Sequence, residues 1–106
     1  MIDINHIPQS FAIAHRHKES YIHISFTFIP GTTHPEWNGY YEDHRVLLRP
    51  TELEWICEVI LRGVHLAIFR WPTAKPGIDE LKSLASCAFY YIDSIIKKGE
   101  YNAKNS

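Results

Sequence analysis

The stretch from Pro50 to Pro72, PTELEWICEVILRGVHLAIFRWP, constrains the fold more than any other. Thr51 followed by Glu54 has the form of a capping box, in which the hydroxyl accepts the Glu54 amide and the carboxylate reaches back. Glu52 and Glu54 would also place negative charge at the positive end of a helix. Leu53, Ile56, Cys57, Ile60 and Leu61 follow the i, i+3, i+4, i+7, i+8 spacing of one buried face. Glu58 and Arg62 stand an i, i+4 pair apart, and Gly63 can take the left-handed conformation that ends a helix. These signals predict a helix of about three turns over 51–62. The next residues, His65 to Phe69, are too short a run for another helix and predict a strand that Pro72 ends. Trp55 and Val59 do not fit the buried face. On a helix they would stand on its far side, either covered by a second element or forming an apolar patch for a partner.

Upstream, Phe11 to His17 and Tyr21 to Ile29 predict two strands. In the second, Ile22, Ile24, Phe26 and Phe28 alternate with Tyr21, His23, Ser25 and Thr27. A two-residue turn at Lys18-Glu19 pairs Phe11 with Phe26 and Ile13 with Ile24, which keeps the apolar face whole. Pro30-Gly31 breaks the run. Asn38-Gly39 then has the form of a type I′ hairpin turn, flanked by Trp37 and Tyr40, with a return strand running from Tyr40 to Leu48. Pro35 would confine the outgoing arm to a sheet edge. After a linker at Thr73-Ala74-Lys75, Leu81, Leu84, Ala85, Ala88, Phe89, Ile92, Ile95 and Ile96 keep one helical face as far as Lys97, Lys98 and Gly99. The expected order is β-β-β-α-β-α. This is an α+β fold, an antiparallel meander with a fourth strand and two helices packed on one sheet face. The length of 106 residues fits a single domain, with 1–9 and 100–106 expected to be flexible ends.

The function classes narrow by exclusion. A formal charge of −1 gives no electrostatic footprint for nucleic acid. There is no apolar run of membrane-spanning length. The N-terminus lacks a signal-peptide pattern, and the two cysteines fall in predicted helices, which together point to a cytoplasmic protein. No glycine-rich phosphate loop or nucleophile elbow is present, so no cofactor is implied. The seven histidines raise the question of a metal site. His15 and His17 share one side of a strand, but the favoured register sends His23 to the other side, so no metal is expected.

Ile22-His23-Ile24-Ser25-Phe26 resembles the signature of the 2H phosphoesterases, with Val64-His65-Leu66-Ala67-Ile68 as a second copy in which Ala67 replaces the hydroxyl. That resemblance implies His23 and His65 in acid–base catalysis and Ser25 on phosphate. The run from Leu48 to Trp55, continued through Arg70-Trp71-Pro72, looks like the helix–strand tail of restriction-type nucleases. Those enzymes need an acid-x-Lys pair on the preceding strand to hold a metal and its water. Glu42 to Leu48 lacks one, so the resemblance implies an inactive relative.

The remaining candidate is an aromatic arm. Trp37, Tyr40 and Tyr41 cluster with Glu36, Glu42, Asp43, His34 and His44, and loop residues of this kind carry binding. The sequence is therefore read first as a non-enzymatic protein-binding module. It would use Trp37, Tyr40, Tyr41, Glu42 and Asp43, with Trp55 and Trp71 as second choices. Acidic and aromatic groups together suit a protein partner with a basic surface, and edge strands would permit a homodimer. Immunity proteins, antitoxins and phage-encoded anti-defence inhibitors share this size, an analogy of scale.

Overall fold

The first hairpin forms in the register that burial demands. β1 (Ser10–His17) and β2 (Ser20–Phe28) pair Phe11 with Phe26 and Ile13 with Ile24, and Lys18 takes a φ of 58° in the turn between them. The computed structural model describes residues 9–30, 35–51, 53–72 and 77–105, with backbone alone for 99–105. Gly31, His34, Glu52, residues 1–8 and the linker 73–76 lie outside the described residues. Four more strands follow: β3 (Trp37–Tyr41), β4 (His44–Pro50), β5 (Glu54–Leu61) and β6 (Val64–Pro72). Each pairs antiparallel with the next, giving one six-stranded sheet in chain order. The chain ends in α1 (Ile78–Asn105), which lies over β1, β4, β5 and β6 on one face. The α+β class holds, with six strands and one helix where four strands and two helices were expected.

The largest correction falls on the stretch that carried the most signal. Residues 54–61 are a strand, β5, and not a helix. Six consecutive residues, Trp55 to Ile60, are buried: Trp55, Cys57 and Val59 beneath α1, and Ile56, Glu58 and Ile60 on the other side between their cross-strand neighbours on β4 and β6. Ile56, Val59 and Ile60 are β-branched and fit a pleated surface better than a helix. Trp55 and Val59, which had no place on the helical face, find one here. With Cys57 they form the strand's α1 side, while Ile56, Glu58 and Ile60 form its other side. Half of the capping pattern forms: Glu54 N donates to Thr51 Oγ1 at 3.0 Å and Leu53 N donates to the same oxygen at 3.3 Å, while Thr51 N donates to the Glu54 backbone oxygen and the Glu54 carboxylate pairs with Arg70. They close the turn between β4 and β5 instead of starting a helix. Arg62-Gly63, at φ 51° and 82°, makes the two-residue β5–β6 turn. Glu58 pairs with Arg49 and His65 instead of Arg62. One extra residue around Leu66 shifts the β5–β6 register opposite Val59 and Ile60, a β-bulge.

Asn38-Gly39 is likewise not a turn. Both residues lie inside β3, and the β3–β4 turn falls at Glu42-Asp43, at φ 48° and 64°. The glycine is required by the neighbouring ring, since a Cβ on Gly39 would lie 2.9 Å from Phe26 Cε1. Asn38 accepts a hydrogen bond from Arg45 Nε across the pair.

The core is a single layer between the sheet and α1. Leu81, Leu84, Ala85, Ala88, Phe89 and Ile92 present the expected face and are fully or almost fully buried. They meet Ile13, Ile24, Phe26, Val46, Leu48 and the Trp37–Trp55 pair, whose rings stand 5.9 Å apart edge to face. The helix continues past Gly99 to Asn105, so residues 100–105 are helical backbone.

Gly39→Ala is expected to cost about 1–3 kcal/mol in urea unfolding, because Phe26 is fully buried and has no free rotamer to yield into.

Candidate functional site

The structure separates the residues grouped by the sequence. Trp37 and Tyr41 are 1% and 3% exposed and point into the core, so no ring-rich arm projects. Trp55 is wholly buried. Tyr40 is 64% exposed on the opposite face, and Glu42 and Asp43 are exposed in the β3–β4 turn. Trp71, 40% exposed, is the cross-strand neighbour of Trp55 and lies on the α1 side at the end of β6. His23 and Ser25 are both on the sheet side away from α1, on β2, and His65 is on β6. Four inter-strand steps of about 4.8 Å put β2 and β6 roughly 19 Å apart. β2 pairs with β3 only through Thr27 and Phe28, well before His23. The two histidines therefore do not share a phosphate-sized site. The nuclease-like run is strand followed by strand, not helix followed by strand.

Two polar constellations remain. The first lies under α1, at the turn ends of the β1–β2 and β3–β4 pairs. His15 Nε2 is 2.8 Å from Asp93 Oδ2, Tyr41 Oη donates to Asp93 Oδ1, and His17 Nδ1 is 3.0 Å from Tyr41 Oη. Because Tyr41 gives its proton to the carboxylate, His17 Nδ1 is the donor to Tyr41. His15 is 2% exposed and ringed by Tyr41, Phe89 and Tyr90. The set ties α1 to β1 and β3. His15-x-His17, sharing one side of β1, was its visible trace in the sequence; Asp93 had none. Burial, then the hydrogen bond to Asp93 and the negative charges of Asp93 and Glu42, hold the Tyr41 phenol well above its usual range. Burial, then Cys87 and Glu58, raise the Cys57 thiol in the same direction, which makes Cys57 a poor nucleophile.

The second constellation is on the sheet face that no described element covers. The registers of β4, β5 and β6 set side chains there in three rows. Arg49, Ile56 and Arg70 form one row; Leu47, Glu58 and Ile68 form the next; Arg45, Ile60 and His65 form the third. Three arginines and His65 thus occupy the four corners, aliphatic side chains the four sides, and Glu58 the centre. Glu58 is 7% exposed. Its Oε1 accepts from Arg49 Nε at 3.1 Å and Nη2 at 2.9 Å, and its Oε2 lies 2.9 Å from His65 Nδ1. Arg70 pairs with Glu54 in the row beyond. Tyr40 extends the third row through its pairing with Arg45. A groove lined by Thr51, Leu53, Glu54, Ile56, Arg70 and Pro72 runs off the first row.

No group of three metal-ligating side chains occurs among the described residues, and none of the described helices is long and apolar enough to cross a membrane. No family model, curated protein or solved structure matches this chain.

Asp93→Asn is expected to lower stability by about 1–3 kcal/mol in urea titration, because an amide cannot accept from both His15 and Tyr41. Stability is also expected to fall as pH rises past about 9 to 10, the ordinary range of a thiol and a phenol. There the unfolded chain releases protons that folded Cys57 and Tyr41 keep, so the unfolded state gains. Tyr41→Phe should flatten this alkaline decline, leaving the Cys57 part, when urea midpoints are followed from about pH 7 to pH 11.

Proposed function

We propose that this chain is a small protein-binding module that docks a protein partner on the open face of β4, β5 and β6. The observation that carries the reading is the arrangement of that face. It combines exposed large side chains, Ile68 at 51% and Tyr40 at 64%, with fixed charges, and no described element covers it. A sheet of this kind normally hides its apolar side chains beneath a second layer. Among the described residues the second layer is present on one side only; on the other, Leu47, Ile56 and Ile60 are screened by their neighbours in the sheet, and Ile68 and Tyr40 stand exposed. His23 and His65, roughly 19 Å apart on β2 and β6, give no support to a reading that joins them in one phosphodiesterase centre. Of the residues favoured by the sequence, Tyr40 belongs to this surface, and Glu42 and Asp43 border it at the adjacent turn.

A module that covers part of another protein acts stoichiometrically. Inhibition of the partner, as immunity proteins, antitoxins and anti-defence proteins achieve it, is the mode proposed here.

Ile68→Lys should abolish recovery of the partner that wild-type protein retains from its native host, while the thermal midpoint stays within a few degrees. Tyr21→Ala, at an equally exposed site far away on β2, should leave recovery unchanged. Equal loss in both variants, or in neither, would sink the reading.

A further inference from the structure

Resting on that docking face, we infer that its partner presents an acidic, extended segment. Three guanidinium groups, Arg45, Arg49 and Arg70, stand against two carboxylates, Glu54 and Glu58, while the whole chain carries a formal charge of −1. The face is therefore opposite in sign to the molecule. This reverses the expectation of a basic partner, which rested on Glu42 and Asp43 lying among a projecting ring cluster.

The internal ion pairs do not exhaust these arginines. A guanidinium has five N–H donors. Arg45 commits Nε to Asn38, Arg49 commits Nε and Nη2 to Glu58, and Arg70 commits Nη1 to Glu54. Each keeps further donors for a ligand, and its planar fork suits a carboxylate. Glu58 fixes the array without neutralising it. Held between Arg49 and His65 and almost wholly buried, it orients both side chains and offers little charge to solvent.

The spacing favours an extended strand over a helix. Arg45 and Arg49 lie four residues apart on β4, on the same side, so about 13 Å separates them. Carboxylates four residues apart in an extended segment have the same separation. In a helix, groups four residues apart are only about 6 Å apart. Exposed Ile68 supplies an apolar contact between the corners, next to His65 and Arg70 on β6.

The test uses a fluorescein-labelled pentapeptide with glutamate at both ends and leucine at its centre, with binding to the full chain read by anisotropy. Binding should weaken about tenfold or more in the Arg45→Gln, Arg70→Gln double variant and should fall with added salt. Arg16→Gln, exposed on β1, should bind as wild type does. Thermal unfolding of each variant separates loss of binding from loss of fold. Absence of binding by folded wild-type protein overturns the inference, as does equal binding of the same peptide with terminal lysines. Equal or tighter binding of an oligothymidylate also overturns it, since the face would then serve polyanions in general. If the partner's recovery is lost in Ile68→Lys but survives the arginine double variant, the docking face stands and the acidic segment falls.

Discussion

Burial of Trp55, Cys57 and Val59 beneath α1 fixes the phase of β5, and with it the side taken by every cross-strand neighbour. Side chains alternate along a strand, so a shift of one residue would exchange the two faces. It would push Trp55 into water and bring Glu58 into the apolar layer beneath α1. The cost of burying that charge away from Arg49 and His65 far exceeds the cost of any surface rearrangement. The grid on the other face is therefore a by-product of core packing. Arg45, Arg49, Arg70 and His65 come together because the residues between them must face the helix.

The two polar networks illustrate different uses of the same groups. Asp93 sits among rings, with both its oxygens bonded, and makes the helix orientation specific where apolar contact alone would let it slide. Glu58 is equally well bonded, but its partners face solvent: the Arg49 and His65 side chains are 35% and 58% exposed. The first set joins the helix to the sheet through groups whose donors and acceptors meet one another. The second is saturated at its centre, while its outer side chains reach solvent.

What could be read in the sequence was whatever needed only one strand pair or one helix. The alternation from Ile22 to Phe28 determined the β1–β2 register, and the spacing from Leu81 to Ile92 determined the buried face of α1. Residues 51–61 misled because a capping box and helical spacing coincide with a run apolar on both sides; Trp55 and Val59, which fitted no helical face, were the discordant sign. Asn38-Gly39 misled because glycine serves two needs, a positive φ and close approach, and here Phe26 imposes the second. The arginine grid around Glu58 was not legible at all. Arg45, Glu58 and His65 become neighbours only through the joint register of three strands, and a bulge at Leu66 decides which way His65 points. Aromatic residues near a turn looked like a binding arm, but Trp37 and Tyr41 are large apolar surfaces that the core claims first.

That bulge has a consequence for the molecule's behaviour in a crowded solution. β6 is the last strand of the sheet, and its outward backbone groups could template the addition of a neighbour without limit. The extra residue at Leu66 interrupts the regular spacing of those groups near one end, and Pro72 removes a donor at the other. Only a short straight segment is left between them, so this edge offers an incoming strand few regularly spaced groups to pair with.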